Sequence, residues 1–187
     1  MRALRLIGAI VAVGLVMGVG ATAASGETLT FHQETDTFGD YVPCVTEFPS
    51  LEGFEITITF NGVEHFTENA NGGHFTFTNT GTASAVPVLF ADGNNDGEPD
   101  FDEETESFVI AGPREGESFS ARFTVWGGGN FNRSGIVVFT FTFSGRVVGD
   151  EGTTVRWNSV DHVTSVGDPF EDPSAIVKVA FSRFNCR

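Results

Sequence analysis

Between Asp92 and Glu103 the chain reads Asp-Gly-Asn-Asn-Asp-Gly-Glu-Pro-Asp-Phe-Asp-Glu. Oxygen-bearing side chains fall at alternating positions, which is what a hard divalent cation needs from a short loop. Asp92, Asn94 and Asp96 would give the first three ligands and Glu98 its backbone carbonyl. Asp100 would bind directly or through water, and Glu103 would supply a bidentate carboxylate, while Gly97 permits the sharp turn between them. Every specified position of the twelve-residue calcium-loop pattern is filled, so calcium is the expected cofactor, with a Kd of order 10⁻⁴ to 10⁻³ M as in extracellular modules. The competing reading is a solvated acidic hairpin, because eight of the 25 acids lie between Asp92 and Glu106.

This segment resembles an EF-hand loop, and more closely the calcium loops of dockerin and thrombospondin type 3 repeats, which also carry an acid at the ninth position. It departs from the EF-hand in having Pro99 at the eighth position and strand-like flanks, Val86 to Ala91 and Ser107 to Ala111. The resemblance implies a lone calcium-binding excursion between strands.

Other reactive side chains are few. His32, His65, His74 and His162 are all the histidines, and no two have a ligand-like spacing such as i and i+2. They are expected to be surface or hydrogen-bonded strand residues rather than a metal site or an acid and base. Ser159, Asp161 and His162 do not make a triad, because neighbours along a strand point to opposite faces. No Gly-x-Ser-x-Gly elbow, His-Glu-x-x-His pair or phosphate-cradling loop is present. Trp126 and Trp157 are expected to pack in the core or at its rim. Asn132-Arg133-Ser134 fits the glycosylation pattern, which carries weight only in a glycosylating cell.

The first residues carry an address. Arg2 and Arg5 precede an apolar run from Leu6 to Val19 and the small residues Ala21 to Ser25. That is the layout of a secretory signal peptide over 1–24, cleaved near Ala23 or Ala24, and the run is shorter than the roughly 20 apolar residues that span a bilayer. The mature chain, 25–187, is expected to be secreted, with no stable membrane insertion. In an oxidising compartment the two cysteines, Cys44 and Cys186, are expected to form a disulfide.

Composition bounds the rest. Ten Lys and Arg against 25 Asp and Glu give a net charge of −15, and loss of Arg2 and Arg5 with the signal makes it −17. A chain so poor in clustered cations is not expected to bind nucleic acid. Hydrophobic residues at 40% and aromatics at 12%, including 20 Phe, are enough for a packed core.

The elements that must position these groups read as strands. Apolar and polar residues alternate at Phe75 and Phe77, at Phe119 to Val125 and at Val137 to Phe143. Turns are expected at Asn61-Gly62, Asn71-Gly72-Gly73, Gly127-Gly128-Gly129-Asn130, Gly149 to Gly152 and Gly167-Asp168-Pro169. The expectation is one all-β domain, an antiparallel meander barrel of about eight to ten strands, closed by Thr28 to Gln33 against Ile176 to Phe184. A two-sheet β-sandwich is the alternative.

Pro43-Cys44, His65, Asn71-Gly72-Gly73-His74, Phe139 to Val147, Asp161-His162-Val163-Thr164 and Cys186 look like a group of small secreted bacterial proteins of unknown function, predicted to be β-barrels. The resemblance implies bacterial export and a barrel, and it implies no reaction. Three functions are expected: a non-catalytic barrel that binds a small apolar ligand or a cell-surface partner, with calcium fixing the loop; a cyclase or isomerase resembling allene oxide cyclase or lipocalin-like barrels, with His65, His74 or His162 in its lumen; and a structural envelope or matrix component. Oligomeric state is not readable from the residues.

Overall fold

The computed structural model describes residues 25–46, 49–166 and 176–187. Residues 1–24, with the expected signal peptide, and the turn expected at Gly167-Asp168-Pro169 lie outside the described residues. The described residues form ten strands: β1 (Ser25–Asp40), β2 (Glu52–Asn69), β3 (Gly72–Phe90), β4 (Phe101–Asp102), β5 (Ser107–Phe108), β6 (Ile110–Pro113), β7 (Phe119–Asn132), β8 (Ile136–Gly149), β9 (Thr154–Val166) and β10 (Ile176–Cys186). There is no helix among the described residues.

Seven long strands form one antiparallel sheet in the order β1-β2-β3-β7-β8-β9-β10, with β6 on the end of β3 and β4-β5 as a separate small hairpin. Each long strand neighbours its predecessor, as expected of a meander. Among the described residues no ladder joins β1 to β10. Strand direction gives a reason: seven alternating strands leave the first and last running the same way, so they cannot complete the antiparallel pattern. What connects the two ends is covalent. Cys44, just after β1, is bonded to Cys186 at the end of β10, with Cα atoms 5.9 Å apart.

Period-two alternation sorts the side chains onto two faces. One face carries Phe38, Ile56, Ile58, Phe60, Phe77, Phe123, Phe139, Phe141, Phe143 and Trp157, which pack into a single cluster drawn from β1 through β9. A sheet whose far strands share one core is strongly curled. The other face is a field of Thr, Ser, Asn, His and Arg.

Two expected turns are strand interiors. Asn61-Gly62 lies within β2, opposite a bulge in β1 between Phe31 and Glu34, where Gln33 takes a φ of 53°. The Asn61 amide oxygen accepts the Gln33 N–H that the bulge removes from the ladder. Gly127-Gly128-Gly129-Asn130 lies within β7. A Cβ on Gly127 would stand 2.5 Å from the Phe77 ring and 2.7 Å from that of Phe141, so glycine is there to admit rings from both neighbouring strands. The turns at 70–71 and 150–151 are as expected.

Candidate functional site

The acidic loop leaves the sheet at the end of β3 through a narrow neck. Ala91 N–H donates to Val109 O and Asp100 N–H to Ala91 O, each at 2.8 Å. Beyond the neck, Phe101 of β4 faces Phe108 of β5. Both rings join a satellite core with Tyr41, Val88 and Phe90, and the Gly39 N–H donates to Ser107 Oγ at 2.7 Å. The loop is thereby held against β1 as well as β3. Burial pushes the Tyr41 phenol pKa up, and its hydroxyl donates to the Ser50 carbonyl.

Inside the loop the expected ligands turn toward the loop's own amides. The Asp92 carboxylate accepts from Asp96 N–H at 3.0 Å and Gly97 N–H at 3.1 Å. Asn94 Oδ1 accepts from Asp96 N–H at 3.0 Å, Asp96 Oδ1 from Glu98 N–H at 2.8 Å, and Asp100 Oδ2 from Gly93 N–H at 2.8 Å. Gly97 takes a φ of +83°, the left-handed turn for which the pattern reserves glycine. Glu103 is exposed in the turn after β4, where the Glu104 N–H holds the Asp102 carboxyl below the usual range. Donor types and turn fit a hard cation. Among the described residues no three His, Cys, Asp or Glu side chains already converge as a metal cluster, so a cation would have to gather Glu103 and redirect carboxylates now bonded to backbone.

The histidines do not meet. His65, His74 and His162 all lie on the polar face, bonded through Nδ1 to Thr28, Asn130 and Thr140 at 2.9, 2.9 and 2.8 Å. His65 and His162 share one transverse row, but β3, β7 and β8 separate them, roughly 19 Å at the usual strand spacing. His32 is exposed on β1. Asp161 and Ser159 point into the core at 3% and 5% exposure, while His162 points away, as alternation requires.

Among the described residues the core encloses a cavity of about 50 Å³ lined by apolar side chains, among them Phe38, Ile56, Phe123 and Trp157. That is space for a few waters, well below the several hundred Å³ of an ordinary ligand pocket. Trp157 packs at 5.5 Å from Phe143 as a core residue. Trp126 does not: it stands mid-strand in β7 on the polar face at 49% exposure, because its parity in the strand opposes that of Val125.

Comparison with family models, with curated proteins and with solved structures finds no match to this chain. No helix among the described residues is long and apolar enough to cross a membrane.

Proposed function

We propose that the protein is an exported, non-catalytic binding protein, a disulfide-clasped barrel open at one seam, whose 92–103 loop is stabilised by calcium. The observation that carries this reading is the loop: the Asp92, Asp96 and Asp100 carboxylates accept from its own amides around the Gly97 turn, on a neck and an aromatic anchor that position it beside β1. The small core cavity, about 50 Å³ among the described residues, favours a partner bound on the outside, at a cell surface or another macromolecule, over a small apolar ligand held within. A lumenal cyclase or isomerase has little support, since the histidines it would use face outward.

Calcium titration by calorimetry, together with melting in calcium and in chelator, tests the proposal. Binding with a Kd of order 10⁻⁴ to 10⁻³ M and a higher melting temperature in calcium are expected. Glu103→Gln should weaken binding. No heat and no thermal shift at millimolar calcium would sink the cation reading.

A further inference from the structure

Four arginines occupy one transverse row of the polar face. Arg122 on β7 lies opposite Arg146 on β8, and Arg146 opposite Arg156 on β9. Arg156 and Arg187 exchange both backbone hydrogen bonds at 2.8 Å, which extends the row past β10. All four side chains are exposed. In the other direction the same row continues as Thr82, Thr59 and Thr35, so the cations are confined to the β7-to-β10 side.

Like charges directly opposed across strands destabilise a sheet. Adjacent strands are about 4.8 Å apart, well inside the Debye length of about 8 Å at physiological salt. Acids outnumber Lys and Arg by 25 to 10, yet the ion pair found among the described residues is Arg114 with Glu52, and none of the four row arginines has a carboxylate within bonding distance. The row is a positive strip that the acids among the described residues leave unpaired.

We propose that this row docks the acidic loop of a second copy. The counter-charge is part of the same molecule: Glu98, Glu103, Glu104 and Glu106 are exposed on the loop, and forked guanidinium groups match carboxylates two bonds at a time. Within one copy the loop is tied to β1 and β3 by Ser107, Phe101 and Phe108, and among the described residues none of its carboxylates pairs with a row arginine. Row and loop are different patches, so a head-to-tail contact leaves one copy with a free loop and the other with a free row. The net charge of −15 opposes approach at low ionic strength. Association is therefore strongest at about 0.1 M salt, where distant charges are screened and contact pairs persist, and is lost by about 1 M.

Sedimentation velocity in chelator, at about 100 µM protein, tests this independently of calcium. The wild type should show a weight-average coefficient that rises with concentration at intermediate salt. Arg146→Glu should be monomeric, and so should a loop variant combining Glu98→Gln, Glu104→Gln and Glu106→Gln. The two mixed should form a 1:1 dimer that grows no further, since only one good row and one good loop can meet. Circular dichroism matching the wild type confirms that each variant is folded, and Arg122→Gln with Arg156→Gln supplies a milder row variant that should also be monomeric. A monomeric wild type at every salt, a variant that associates like wild type, or a mixture that stays monomeric would overturn the proposal. So would a monomer that instead binds a sulfated polysaccharide through Arg146, which would assign the row to a polymeric anion.

Discussion

Gly145 on β8 lies directly opposite Trp157 on β9, and the indole occupies the space a side chain at 145 would need. A Cβ there would stand 2.2 Å from the ring. Gly145→Ala is therefore expected to destabilise by about 1 to 3 kcal/mol through overpacking. Trp157→Phe in the same molecule should recover part of that loss, and chemical denaturation of the four members of the cycle measures the coupling. Strict additivity would show that the indole does not depend on the glycine.

The Cys44–Cys186 bond encloses most of the domain, with a sequence separation of 142. In the chain-entropy account a loop this long stabilises by about 4 to 5 kcal/mol. Cys44→Ser with Cys186→Ser should lower the urea midpoint accordingly. An unchanged midpoint would mean that the sheet holds its ends together without the clasp.

Two glutamates should give opposite pH signatures. Burial raises the Glu64 pKa, so the folded state takes up its proton before the unfolded chain does. Its stabilising effect is complete below the unfolded pKa and is lost as pH rises through the raised folded value. Glu64→Gln should accordingly be more stable than wild type at neutral pH and lose that advantage below about pH 4. Glu117 is the reverse: hydrogen bonds from Thr153 and the Glu151 backbone across the β8–β9 turn lower its pKa. That contribution is present above the unfolded pKa and is lost as pH falls through the depressed one, so Glu117→Gln should cost stability at neutral pH and little in acid. Thermal melts from pH 3 to 8 check both, and parallel wild-type and variant curves would refute the assignment.

At Gly97 the left-handed backbone predicts a penalty of about 1 kcal/mol for Gly97→Ala in chelator. In calcium the loss should be larger if the loop binds the ion as proposed. Equal losses in the two buffers would separate backbone strain from cation binding and count against the latter.

How far the sequence could be read depended on range. The 92–103 pattern is local, and Gly97 takes the left-handed turn that the spacing reserved for it, while Glu103 stands exposed outside that turn. Alternation at Phe75 and Phe77 and from Val137 to Phe143 likewise reported its own strands. Asn61-Gly62 and Gly127 to Gly129 misled because glycine serves positive φ and close approach equally well. Only the register, which sets Phe77 and Phe141 on either side of Gly127, distinguishes the two uses. The arginine row left no trace along the chain, since Arg122, Arg146, Arg156 and Arg187 come together only through pairing.

The disulfide also decides where mechanical load would travel. Tension applied between Ser25 and Arg187 runs along β1, crosses from Cys44 to Cys186 and leaves the molecule, so the chain between the cysteines is a slack covalent ring. With the bond intact, the main-sheet strands beyond β1 carry almost none of the pull. Once it is reduced, the same pull falls on the two edge ladders, and the sheet can be peeled from both sides.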